Sequence, residues 1–321
     1  MARLPLPGRG TGPRVVALGG GHGLAASLAA LRLVVEDITA IVTVADNGGS
    51  SGRLRRDFDV LPPGDLRMAL AALCDDSEWG HIWRDVLQHR FVGDGDLSGH
   101  ALGNLLIVTL WQQHSDPVRG LDLVARLLGA RGRVLPMAST PLQMRARVRG
   151  DDPARPDEVT EVAGQVEVAR TPGLVESVAV EPADPEIPAE TLAAIEGADW
   201  IVLGPGSWYT SVLPHLLVPR LREAVVSAPG RRALVLNLEL DTSETSGWSA
   251  PGHLESLRDH APDLRLDTVL ADPTVVDDVE ELEEACRAFG AHLVVQRMGL
   301  RGERGVHDPL RLGAAFSDLF A

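Results

Sequence analysis

Three short glycine-rich segments hold most of the chemical potential of this chain. The first is Gly19-Gly20-Gly21-His22-Gly23-Leu24. It follows the apolar run Arg14 to Leu18 and precedes helical spacing of Leu and Ala over Leu24 to Val35. A glycine cluster between a strand and a helix lets the backbone approach a phosphate, and the helix N-terminus offers free N–H groups and a positive dipole end. Gly20, Gly21, His22, Gly23 and Leu24 are therefore candidate binding positions. Gly21, Gly23 and Ala26 also satisfy G-x-G-x-x-A, with Asp46 at the end of the next strand, the layout of a dinucleotide fingerprint. The same glycines would serve a plain tight turn, so this spacing alone decides nothing.

The second segment, Asp46-Asn47-Gly48-Gly49-Ser50-Ser51-Gly52-Arg53-Leu54-Arg55, departs from a dinucleotide enzyme, where an ordinary helix would follow the acidic residue. Backbone N–H groups, the Ser50 and Ser51 hydroxyls and the Arg53 fork are equipment for oxyanions. Asp46 could hold a ribose hydroxyl or a divalent cation. Pro62-Pro63-Gly64-Asp65-Leu66-Arg67 is a rigid turn, with Asp65 expected as an N-cap. It also brings Gly64, Asp65 and Arg67 towards the site. Arg90-Phe91 comes next, then Gly99-His100-Ala101-Leu102-Gly103-Asn104. His100 and Asn104 share a helix face. His100 is a proton donor, an anion ligand or a structural hydrogen-bonder, and Asn104 in an apolar helix needs a partner.

The third glycine segment, Gly204-Pro205-Gly206-Ser207-Trp208-Tyr209-Thr210-Ser211, repeats the physics of the first at another strand end. Tyr209, the only tyrosine, either stacks on a base or sugar or packs in the core. Asn237, ending the next strand, falls on the same sheet edge. If the protein is an enzyme, Asp46 and Asp65 are the catalytic candidates. No metal-ligand spacing occurs among the histidines, and no Walker loop, G-x-S-x-G elbow or H-E-x-x-H is present.

These segments need a scaffold that presents them along one edge. The 321 residues suffice for it, and 45% hydrophobic with 23% charged residues is ordinary for a globular protein. Strand-like runs at Arg14–Leu18 and Ile38–Ala45 flank a helix, the opening of a doubly wound sheet with right-handed parallel crossovers. The polar stretch from Asp46 to Arg56 reads as a long organised loop. Helices are expected from Asp65 to Cys74, Ser77 to Phe91, His100 to Gln113 and Asp116 to Gly129. Between about 140 and 182 the period becomes two, at Leu142–Arg149, Val159–Arg170 and Leu174–Val180, which predicts an antiparallel β insertion. Strands resume at Trp200–Leu203, Ala233–Leu238, Thr268–Ala271 and His292–Gln296, and Leu310–Phe320 closes as a helix. The expectation is an α/β, Rossmann-like, doubly wound and mostly parallel sheet, one domain over 14–321 behind a flexible tail at 1–13.

The net charge of −15 argues against nucleic acid and anionic membranes as partners. Cys74 and Cys286 are far apart, which argues against a disulfide scaffold or a zinc site. No apolar run suits a signal peptide or a membrane span. A reduced, cytoplasmic protein is the expectation.

Taken together, ADNGGSSGRLR, PPGDLR, RF, GHALGNLL and GPGSWYTSVLP resemble the family of gluconeogenesis factors (YvcK-like) and 2-phospho-L-lactate transferases (CofD-like). The resemblance runs from Val15 to Phe320 and favours the gluconeogenesis-factor branch. It implies a Rossmann-like sheet, binding of a UDP-sugar such as UDP-N-acetylglucosamine, and a cytoplasmic role linking carbon metabolism to cell-wall synthesis and cell shape. It also makes a second copy of the chain and cell-wall synthesis proteins the macromolecular partners to consider. The usual pattern has two consecutive aspartates where this chain has Asp46-Asn47. The amide removes a charge that could hold Mg²⁺ or act as a base. Three readings follow: a non-catalytic nucleotide-sugar sensor with no cofactor of its own, a transferase of a phospho-lactyl-type group assisted by Mg²⁺, and an NAD(P)-dependent oxidoreductase resting on Gly21, Gly23 and Ala26.

Overall fold

Val15 to Leu18 carry no polar side chain and are all buried, which suits a strand with helices on both faces. That strand, β1 (Arg14–Gly19), is followed by α1 (Gly21–Leu31) and β2 (Asp37–Val42). The computed structural model describes residues 12–321 apart from 243. Of the tail expected over 1–13, all but Gly12 and Pro13 lies outside the described residues.

Five helices then lead to β3 (Arg133–Pro136): α2 (Gly49–Phe58), α3 (Pro63–Ala72), α4 (Glu78–Gln88), α5 (Leu102–His114) and α6 (Pro117–Leu128). Local chemistry sets their ends. Ser77 accepts from the Gly80 N–H to start α4, and Asp116 accepts from Val118 and Arg119 to start α6. Gly129 ends α6 at φ 60°, a conformation that favours glycine.

The β insertion comprises β4 (Gln143–Arg149), β5 (Val159–Ala163), α7 (Gln165–Arg170) and β6 (Leu174–Glu181). It forms a separate antiparallel sheet in the order β5-β4-β6. The chain then returns through α8 (Ala189–Glu196), β7 (Trp200–Leu203), a π-turn over Trp208–Val212, α9 (Pro214–Leu217) and α10 (Pro219–Ser227). It finishes with β8 (Arg231–Val235), α11 (Ala250–His260), β9 (Thr268–Ala271), α12 (Val279–Arg287), β10 (His292–Val295) and α13 (Pro309–Phe320).

The main sheet runs β10-β9-β8-β7-β1-β2-β3, and every pairing is parallel. Strand order reverses between β1 and β7, where Val15 to Leu18 pair with Trp200 to Leu203. That reversal is the switch point at which doubly wound sheets bind ligands, outside the carboxyl ends of the strands. The α/β, doubly wound expectation holds, antiparallel insertion included.

Three local expectations are corrected. The stretch 46–56 is not one long loop, because α2 starts at Gly49. Asp65 does not cap α3. Pro62 is the cap and Pro63 the first turn, the position where a proline's missing N–H costs nothing. The alternation of Val159–Arg170 ends at Ala163, and Val166 and Val168 belong to α7.

Candidate functional site

The crevice at the switch point is built by backbones that touch. A Cβ on Gly23 would lie 2.2 Å from the Pro205 carbonyl oxygen and 2.6 Å from Gly206 Cα. The first and third glycine segments are thus packed directly on each other. A Cβ on Gly20 would lie 2.5 Å from Thr43 Oγ1, 2.7 Å from Asp65 Oδ2 and 3.4 Å from Ser211 Oγ. Gly20 therefore marks where β1, the end of β2, α3 and the third segment converge. Gly21 takes φ +55° and turns the chain into α1. Leu24 N–H is already bonded to Gly20 O, so the N–H groups of His22 and Gly23, ahead of it, are the ones a helix leaves unpaired. His22 is exposed on this rim.

The second segment is built by side chains. Asp46 Oδ1 accepts from Gly48 N–H at 2.8 Å. Gly49 takes φ +48° and enters α2. Ser51 Oγ accepts from Gly64 N–H at 3.0 Å, fastening α2 to the start of α3. Ser50 Oγ lies 2.9 Å from His100 Nδ1 and accepts from Asn104 Nδ2 at 3.0 Å. Asn104 Oδ1 in turn accepts from Arg67 Nε at 3.0 Å. Ser50, His100, Asn104 and Arg67 are all buried, so this is one buried polar chain across α2, α3 and α5.

Asp65 sits between the two halves. Its Oδ2 accepts from Thr43 Oγ1 at 3.2 Å, and its carboxylate also takes the Gly21 N–H. Burial first, and then the nearby Asp46 charge, push its pKa up to about 6. Burial likewise lowers Arg67 to about 10, with Arg90 adding repulsion. Burial also lowers His100, helped by Arg53 and Arg90, which favours its neutral form.

A model of the family described as 2-phospho-L-lactate transferase CofD matches residues 15–296. The chain belongs to the CofD family. A Mycobacterium leprae relative is 48% identical over 312 residues, covering 95% of this chain and 86% of its own. The gluconeogenesis factor of Bacillus subtilis is 36% identical over 302 residues, 94% of this chain and 92% of its own. A crystal structure of a UPF0052-family protein from Bacillus halodurans superposes with a TM-score of 0.84 at 34% identity, covering 94% of this chain and 98% of that one.

In this CofD-family chain, several residues expected to face a ligand do other work. Tyr209 does not open onto the crevice. It is 1% exposed, edge-on to the Trp248 and His260 rings, and its hydroxyl donates to Val175 O at 3.4 Å. A large ring two residues into a π-turn points to the core, and stacking on a base is not open to it here. Leu24 is buried at 1%, so only its backbone borders the turn. Asn237 both accepts from Gly206 N–H and donates to Gly206 O, at 2.7 and 2.8 Å, so it pins the third segment. Asn47 gives its amide to α7: Oδ1 accepts from Val166 N–H at 3.0 Å and Nδ2 donates to Glu167 at 2.7 Å. Arg53 donates to Ser98 O and Arg90 to Gly99 O, so both hold the α4–α5 connection.

Pro205 is buried against α1, Thr210 is buried, and Gln165 of α7 reaches the Thr210 carbonyl at 3.4 Å. Ser207 is exposed and bonded to Glu244. Sequence reasoning missed Thr43, α7 and Glu244. A lone Thr ending an apolar strand was the available signal for Thr43. Glu244 is buried, accepts from the Trp208 and Tyr209 N–H groups, and is pushed up to about 7 by burial.

Among the described residues no cluster of three or more His, Cys, Asp or Glu side chains could hold a metal. Asp46 and Asp65 are the carboxylates beside the first two glycine segments, and Thr43 and Gly21 already engage Asp65. A second cleft, of about 460 Å³, lies between the amino ends of the strands and α13, lined by Trp200, Arg231, Thr268, His292 and Ala315 among others. Its one lining glycine is Gly290, and it opens at the wrong end of the strands for a doubly wound site. No helix among the described residues is long and apolar enough to cross a membrane.

Proposed function

We propose that this chain is a cytoplasmic gluconeogenesis factor that binds a nucleotide sugar of the UDP-N-acetylglucosamine type and links carbon metabolism to cell-wall synthesis and cell shape. The observation that carries the reading is the direct packing of Gly20 and Gly23 against Asp65, Ser211 and the Pro205–Gly206 backbone at the switch point. This packing leaves the first turn of α1 facing the crevice, where a diphosphate finds N–H donors and a favourable dipole. The curated relatives carry the gluconeogenesis-factor name.

Transfer of a phospho-lactyl-type group is the second reading. It is favoured by the match to the transferase family model and by Asp65, whose pKa of about 6 suits a general base near neutral pH. In that reading Asp46 and Asp65 would hold Mg²⁺ or orient the acceptor hydroxyl. The oxidoreductase reading keeps only its glycine spacing, since Asp46 turns to its own loop at Gly48.

Thermal shifts with UDP-N-acetylglucosamine, GDP, GTP and NAD separate the three. A ligand at 100 times its Kd stabilises by about 2.7 kcal/mol, several degrees in Tm at roughly 2 °C per kcal/mol for a large domain. The sensor reading requires a shift with the UDP-sugar and no turnover. A shift with NAD alone contradicts it, and turnover of a phospho-lactyl nucleotide moves the assignment to the transferase.

A further inference from the structure

We infer that Arg67, Arg90 and the first turn of α2 form a second anion subsite, suited to a phosphoryl-type dianion and separate from the diphosphate cradle at α1. Arg67 is only 4% exposed. Its Nε is bonded to Asn104, and its two Nη groups meet no carboxylate within ion-pair distance among the described residues. A buried guanidinium without a counter-ion is costly. Yet the fold makes room for it: a Cβ on Gly103 of α5 would lie 2.9 Å from Arg67 Cγ and Cδ.

The neighbouring charge makes the imbalance larger. Arg90 pairs with Ala101, just ahead of the Gly103–Asn104 turn against which Arg67 packs, and the two cations oppose each other there. Arg53 and Arg90 both act on His100 as well. Asp65 is the carboxylate that favours the Arg67 charge, but it forms no ion pair with it, and its oxygens are engaged by the Thr43 hydroxyl and the Gly21 N–H.

The buried chain Arg67–Asn104–Ser50 links this guanidinium to the first turn of α2. The Gly49, Ser50 and Ser51 N–H groups there precede the first bond of the helix, Gly52 N–H to Gly48 O, so they have no partner within it. A planar guanidinium fork, a second guanidinium and a turn of N–H groups together match the oxygens of a phosphoryl dianion. The internal diphosphate of a nucleotide sugar would occupy the α1 turn and leave this set free. The subsite therefore takes a different anionic group, on an acceptor or on an effector.

The probe is inorganic phosphate, titrated calorimetrically into the full chain with and without saturating UDP-N-acetylglucosamine. Wild-type protein is expected to bind phosphate with the same affinity in both cases. Arg90→Ala, at an exposed position, and Arg67→Lys, which keeps the charge but loses the fork, are each expected to weaken phosphate about tenfold. Arg84→Ala, a half-buried arginine of α4 paired with Asp85, should bind as wild type does. Three results overturn the inference: no phosphate binding, displacement of phosphate by the nucleotide sugar, or unchanged affinity in both variants. The phosphate arm reads independently of the nucleotide-sugar proposal, so failure of one is distinguishable from failure of the other.

Discussion

The two sides of the crevice are made of different material. On the α1–β7 side, Gly23 packs directly on the Pro205–Gly206 backbone and Gly20 on the Thr43, Asp65 and Ser211 side chains, and neither leaves space for a methyl group. On the α2 side, side chains do the building, through Ser50, His100, Asn104 and Arg67, and through Asn47 bonded to α7. The backbone side has one geometry and tolerates almost no substitution. The side-chain side is adjustable, because each hydrogen bond can be exchanged for another of similar worth.

Gly23→Ala should break the backbone side outright. Its Cβ would stand 2.2 Å from the Pro205 oxygen, and backbone cannot swing aside as a side chain can. Loss of about 3 kcal/mol is expected, seen as a lower denaturant midpoint and as loss of nucleotide-sugar binding.

Asp65 joins the two sides, and its titration reports on that junction. Its folded pKa of about 6 lies above the ordinary 3.8. The folded state thus holds its proton more tightly than the unfolded chain does. Below about pH 4 both states are protonated and nothing is lost, and as pH rises from about 4 to about 6 stability falls and stays lower above. Asp65→Asn removes that loss and retains an acceptor for Thr43. At pH 7.5 it should be more stable than wild type by up to about 2 kcal/mol, less whatever solvent screens at its open side. The difference should vanish at pH 4, as chemical denaturation at the two pH values will read. A variant no more stable than wild type at pH 7.5, or an equal difference at both pH values, would contradict it.

The smallest effect belongs to the side-chain side. Asn47→Asp places a carboxylate against Glu167 and removes the donor between them. A loss of about 1 kcal/mol is expected, felt locally as faster hydrogen exchange over 164–170. Adding Glu167→Gln should restore the wild-type rate, since the glutamine amide can donate to the new carboxylate.

The same contrast decides what the sequence made legible. The parallel sheet was readable because buried strands are continuous apolar runs, as in Val15–Leu18 and Ile201–Leu203. The three glycine segments were readable because close backbone approach demands glycine. The start of α2 was hidden, because Gly49-Ser50-Ser51-Gly52 has no helical apolar pattern and is held from outside by Gly64, His100 and Asn104. Helix α7 was hidden by Val166 and Val168, whose spacing of two imitates a strand. The true partners of Tyr209, Asn237 and Asn47 are set by tertiary packing, and nothing in their local sequence distinguishes a residue that meets a ligand from one that pins the loop beside it. Glu244 lies in an irregular stretch where no period operates.

The most direct test of the account is hydrogen–deuterium exchange of the full chain with and without UDP-N-acetylglucosamine. Binding at the switch point predicts slowed exchange at Gly21–Gly23 and in the Gly206–Ser211 segment, with the strand amino ends near Trp200 and His292 unchanged. Protection confined to that amino-end cleft, or no protection anywhere, would contradict it.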